Sequence, residues 1–180
     1  MISVKQALIY GDSASSGNVP LYWLRYASNL GTDLWYWQRI AVGGRTVASA
    51  QDAVDTELAA ITSTIHAILF NLGKNDADDA LVAVDWKADL AYILDAMHTK
   101  WPSAIISIMK PWRRDYLTPC NNMVTWIGEV IASRLWCSYG PDERIFLEGG
   151  DNGVTYTDDG VHPNATGEVL TGQQWAQYVK

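Results

Sequence analysis

Long apolar runs are missing from this chain, and nowhere do the about 18 consecutive apolar residues of a membrane span occur. Basic residues are few: 13 Lys and Arg stand against 20 Asp and Glu, a net charge of −7. That sign disfavours sequence-independent binding to nucleic acid, which needs clustered cations. The only notable basic cluster, Lys110, Arg113 and Arg114, is too small for a nucleic-acid stripe but could hold one anionic substrate group. Cysteine is scarce as well. Cys120 and Cys137 have neither metal-ligand spacing nor a Cys-x-x-Cys relation; buried free thiols are expected, with a single disulfide as the alternative. The opening Met-Ile-Ser-Val-Lys-Gln runs directly into a strand-like segment, so no signal peptide is expected and the cytoplasm is the default location. There is no low-complexity tract, internal repeat or composition shift, and residues 1–180 are expected to form one domain. With 48% hydrophobic and 18% charged residues, a folded chain rather than a disordered one is expected. None of these features fixes an oligomeric state.

Tryptophan, by contrast, is abundant, with nine in 180 residues. Indole is bulky and serves packing, while its flat face also suits the lining of a groove for sugar rings. Short apolar runs alternate with longer amphipathic ones. Strands are expected at Ala7–Tyr10, Leu34–Val42, Ile65–Leu72, Ala104–Met109 and Arg144–Leu147. Helices are expected at Pro20–Leu30, Thr46–Ser63, Asp79–Lys100, Pro119–Trp136 and Asn164–Val179. Strands apolar on both faces, alternating with helices, predict a parallel sheet covered on both sides: a three-layer α/β/α sandwich. In such sheets ligands bind beyond the carboxyl ends of the strands.

Chemically informative residues fall at those ends. Gly11-Asp12-Ser13 follows the first strand, Gly43-Gly44 the second, Gly73-Lys74-Asn75-Asp76 the third, and Asp159-Gly160-Val161-His162-Pro163 the fifth. A serine hydroxyl needs an adjacent base. Of three histidines, His162 alone lies in a loop on the ligand-binding edge; His66 precedes the third strand and His98 lies late in a helix. Asp159, three residues earlier, can reach the imidazole in one tight turn, with Asp158 as its competitor. Oxyanion donors are then sought in the backbone N–H groups of Ser13 and Gly44 and the amide of Asn75, with Gly43 as the alternative to Gly44. Asp76 reads as a helix cap. Trp112, Arg113 and Arg114 follow the fourth strand and are candidates for the pocket rim.

Taken together, these blocks resemble the SGNH, or GDSL, hydrolase family, from about residue 8 to residue 167. The family's nucleophilic Ser, oxyanion Gly and Asn, and general-base His fall on Ser13, Gly44, Asn75 and His162. The resemblance implies a flavodoxin-like sandwich with five parallel strands and ester hydrolysis through an acyl-enzyme, without metal or other cofactor. Two departures stand out: the asparagine often found before the second block is absent, and Ala14-Ser15-Ser16-Gly17 replaces the commoner hydrophobic-Thr pair after the nucleophile. The Gly-x-Ser-x-Gly elbow of α/β-hydrolases is also absent. The expected activity is hydrolysis of short-chain carboxylic esters, with O-acetyl groups on carbohydrates as one substrate class. A thioesterase or lysophospholipase-like hydrolase, or a catalytically silent carbohydrate-binding module, are the alternatives on the same fold.

Overall fold

The computed structural model describes residues 4–15, 34–149 and 151–178. Five strands form one parallel sheet: β1 (Val4–Gly11), β2 (Leu34–Ala41), β3 (Ala67–Asn71), β4 (Ile105–Lys110) and β5 (Cys137–Asp142). Their order is β2-β1-β3-β4-β5, with β3 in the middle and buried at every residue. Among the described residues, four helices connect or close them: α1 (Val47–Ala60), α2 (Ala83–Lys100), α3 (Leu117–Ile131) and α4 (Ala165–Ala176). The expected helix at Pro20–Leu30 lies outside the described residues.

Alternation along the strands builds two cores. Leu8, Tyr10, Ile68, Phe70, Ile106 and Ile108 face α1, α2 and α3, meeting Val54, Leu90, Ile93 and Met123. Ala7, Ile9, Ala67, Leu69 and Met109 face the other way, onto Trp112, Phe146, Leu147 and Trp175 of α4. The result is the expected α/β/α sandwich. Packing accounts for most of the tryptophans, since Trp35, Trp86, Trp101, Trp112 and Trp175 are all buried. Cys120 and Cys137 are unpaired thiols, and burial pushes both upward, to about 11 and about 12. No helix among the described residues is long and apolar enough to cross a membrane.

One strand differs from expectation. The fifth is Cys137–Asp142, not Arg144–Leu147, and α3 ends at Ile131 rather than running to Trp136. Gly140 and Pro141 make the segment read as a turn, but β5 is an edge strand, where proline is tolerated. Gly140 keeps the packing there close: a Cβ would lie 3.1 Å from the Ile108 backbone and 3.1 Å from the Trp175 ring, so its neighbours would have to give by a few tenths of an ångström. Arg144–Glu148 instead forms one wide helical turn.

The loop after β3 is tied to two helices by one carboxylate. Buried Asp76 accepts the Val47 N–H at the start of α1 (3.0 Å) and the Trp86 Nε1–H of α2 (2.9 Å). It therefore caps α1, beside Thr46 and Ser49, which cap each other reciprocally. Burial, outweighing both hydrogen bonds, raises its pKa from 3.8 to about 6. A proton held more tightly in the folded state adds stability below the unfolded pKa, and that stability is lost as pH rises through about 6. Asp76→Asn keeps an oxygen for both donors and cannot ionise. Its unfolding free energy in urea, relative to the parent, should therefore rise by about 2 kcal/mol between about pH 4 and 7. Parallel stability curves for the two proteins would contradict this assignment.

Candidate active site

At the carboxyl end of β1 the chain must turn within very little space. A Cβ on Gly11 would sit 2.5 Å from Ser15 Oγ and 2.7 Å from Asn71 O, so only glycine fits. The turn that follows is wired internally. Asp12 N–H donates to Asn71 O (3.2 Å), Asp12 Oδ1 accepts Ala14 N–H (2.9 Å), and Asn71 Nδ2 donates to Ser15 Oγ (3.1 Å). Ser13 opens a single 3-10 turn on this platform, with its Oγ 2.8 Å from His162 Nε2.

The imidazole is held from its other side. His162 Nδ1 lies 2.7 Å from Asp159 Oδ2, while Asp159 Oδ1 accepts the Val161 and His162 N–H groups at 2.9 and 2.8 Å. Partial burial pushes this carboxyl up, but the hydrogen bonds from His162 and Val161 outweigh it and hold the pKa at about 2. A carboxylate on Nδ1–H leaves Nε2 free to accept the serine proton. A bridge between Thr157 and Pro163, the bond from Asp158 N–H to His162 O (3.0 Å) and Gly160 at φ +84 shape the loop. Asp158 is solvent-exposed and contacts the loop through its backbone.

Asn75 joins two of the other loops. Its Nδ2 donates to Arg45 O (3.0 Å) and, more weakly, to Asp12 Oδ2 (3.3 Å). Gly44 adopts φ +71 in an exposed turn, closed by Arg45 N–H on Val42 O (3.3 Å). That turn is anchored from below. The Arg45 side chain is buried against the Tyr10 ring (4.8 Å) and paired with Glu57 (2.6 Å). Gly43, the alternative, is exposed in the same turn and has open space around it.

Of the three rim candidates, Trp112 is buried away from the surface, while Arg113 and Arg114 are partly exposed and engaged with neighbouring loops. Trp112 does not face a pocket: it is buried in the second core, its ring against Gly153, because the chain turns inward directly after β4. The Arg113 guanidinium pairs with Asp78 (2.5 Å), donates to Lys74 O (3.3 Å) and lies over the Tyr116 ring. That of Arg114 donates to Asn152 O (2.8 Å) and Thr157 Oγ1 (3.3 Å), and its backbone N–H bonds Gly160 O (3.0 Å). Arg114 thus braces the loop that carries His162.

Two groups are not legible as site residues. Lys74 and Glu143 form a fully buried ion pair (2.7 Å) below this loop. Lys74 Nζ donates to Val161 O (3.3 Å), and Glu143 Oε2 accepts the Trp112 N–H (3.2 Å). Burial raises the pKa of Asp12 and of Glu143, with Lys74 opposing it in both cases. The sequence signal was slight: Lys74 fills the variable place of its block, and Glu143 follows a strand that reads as a turn. Among the described residues, no group of three or more His, Cys, Asp or Glu is placed to hold a metal ion.

The model of the GDSL-like lipase/acylhydrolase family matches residues 9–170. The chain belongs to this family. No curated protein matches the sequence. Among solved structures, a candidate GDSL-like lipase from Parabacteroides merdae aligns over 99% of this chain and 97% of its own, with TM-score 0.79 and 14% identity. The psychrotrophic esterase EstA from Pseudoalteromonas sp. aligns over 97% and 96%, with TM-score 0.75 and 17% identity. The acetyl xylan esterase AlAXEase aligns over 97% and 100%, with TM-score 0.77 and 12% identity. At such identities the likeness is one of fold, and it is the GDSL hydrolase fold throughout.

The arginine geometry makes a prediction opposite to a substrate-binding role. Arg114→Ala should lower unfolding free energy by about 1–3 kcal/mol through lost loop contacts. In both Arg113→Ala and Arg114→Ala, the ratio of KM for an anionic ester to KM for a neutral one should stay unchanged. A selective rise for the anionic ester would restore the rim assignment.

Proposed function

We propose that the protein is a serine esterase that hydrolyses short-chain carboxylic esters, O-acetyl groups on carbohydrates among them, through an acyl-enzyme on Ser13. The observation that carries this reading is the unbroken relay from Ser13 Oγ to His162 Nε2 (2.8 Å) and from His162 Nδ1 to Asp159 Oδ2 (2.7 Å). As Ser13 Oγ attacks the ester carbonyl, His162 Nε2 takes its proton, and Asp159 stabilises the imidazolium. Negative charge moves to the carbonyl oxygen, where the N–H groups of Ser13 and Gly44 and the Asn75 amide serve as donors. For the last of these, Asn75 exchanges its long bond to Asp12 for one to the oxyanion. The tetrahedral species collapses as His162 returns the proton to the leaving alcohol. Water, deprotonated by the same imidazole, then releases the acid and regenerates Ser13.

Openness supports a small acyl group on a large alcohol. The His162 and Asp159 side chains are 45% and 52% exposed, so the leaving group can remain in solvent while the acyl carbon reaches Ser13. The fold shared with an acetyl xylan esterase is consistent with this reading.

Purified protein should turn over p-nitrophenyl acetate without added metal, and Ser13→Ala should abolish that turnover. Equal rates in the two proteins would remove Ser13 from the role. Asp159→Asn should lower kcat by about 10⁴-fold, and Asn75→Ala by about 10²- to 10³-fold. A series of p-nitrophenyl esters tests the acyl preference: a steep loss beyond butyrate agrees with it, and a maximum at octanoate or longer overturns it.

A further inference from the structure

We propose that Lys74 is a positioning residue for the base: paired with Glu143 beneath the His162 loop, it holds Val161 O and so fixes His162 over Ser13. The inference rests on the esterase reading above. Its starting point is the expense of the pair. Lys74 is 1% exposed and Glu143 fully buried, 2.7 Å apart. Two charges taken out of water are costly, and apolar residues of similar volume often serve packing as well or better. Stability alone therefore gives little reason for this pair.

What the pair does that apolar residues could not is reach four strand ends and loops at once. Lys74 stands just after β3, and its Nζ donates to Val161 O, the carbonyl of the peptide leading into His162. Glu143 stands just after β5, and its second oxygen takes the Trp112 N–H beyond β4. The Lys74 carbonyl, in turn, accepts from Arg113. The bonds from the Val161 and His162 N–H groups to Asp159 are internal to the loop, so they set its shape but not its place on the sheet. Arg114 holds the loop farther out, at Gly160 and Thr157. Lys74 is the buried side chain that joins the carbonyl next to His162 to the strand platform carrying Ser13. A shift of about 1 Å at a reacting group can cost about 10²-fold in rate.

The test uses the double variant Lys74→Met/Glu143→Gln, which removes both charges and keeps an acceptor for Trp112 N–H. Turnover of p-nitrophenyl acetate and the rate of covalent Ser13 labelling by a fluorophosphonate are measured well below each protein's Tm. The expected result is a fall in kcat of about 10- to 100-fold and a parallel fall in labelling, with KM within about twofold. Lys74→Arg, which keeps a cation for Glu143 and a donor for Val161 O, should recover most of kcat. A lowered Tm with kcat and labelling intact would overturn the proposal, because it would mean the pair only stabilises. Should the double variant not fold, Glu143→Gln alone decides: kcat about fivefold down with KM unchanged supports the role, and parental kcat overturns it. The esterase reading is judged separately with Lys74 and Glu143 intact, where failure of Ser13→Ala to abolish turnover or labelling would remove the reading and the role of Lys74 together.

Discussion

The closeness of two neighbouring strand ends governs the rest of the site. β1 and β3 run in parallel register to Gly11 and Asn71, and the turn after β1 must pass directly over the Asn71 carbonyl. No side chain fits at residue 11, and the bonds from Asp12 N–H to Asn71 O and from Asn71 Nδ2 to Ser15 Oγ tie the turn down on both sides. Ser13 therefore leaves the sheet from a fixed point and in a fixed direction. Every other residue of the candidate site is brought to that point by a loop from a different strand.

The supporting contacts become drier with depth. At the top, Asp159 and His162 are half exposed and rely on short hydrogen bonds within one turn. Below them, Asp12, Lys74, Glu143, Arg45 and Asp76 are nearly without solvent. In that setting each charge needs a specific partner, and a wrong arrangement is penalised far more than it would be at the surface. The division suits the proposed chemistry: Asp159 and His162 keep access to solvent, while the layer beneath them has few alternative arrangements.

Most of the fold is legible in the sequence because its strands are apolar on both faces. Ala67–Asn71 is a run that only a central parallel strand would bury completely. β5 escapes this logic. An edge strand need not be uniformly apolar, and Gly140-Pro141 resembles a turn until Ile108 and Trp175 are seen pressing on the glycine. The proximity of His162 and Asp159 can be read because it is local, within three residues, and that of Ser13 because strand ends converge. The partnership of Lys74 with Glu143 cannot be read so, since nothing in the neighbourhood of either residue announces a buried partner of opposite charge two strands away at the same end of the sheet. Trp112 fails for a related reason: position after a strand says where a residue starts, not whether the chain then dives or surfaces.

The same edge strand has a consequence for how the molecule behaves among its own copies. An open sheet edge offers a row of backbone groups on which a foreign strand can assemble. β5 is six residues long, its pairing with β4 shifts between Ile108 and Lys110, and Pro141 has no N–H to offer on either side. A strand approaching from outside would meet a short, irregular and donor-poor template. On that flank, resistance to edge-to-edge aggregation is written into the backbone itself and does not depend on surface charge, so added salt should do little to weaken it.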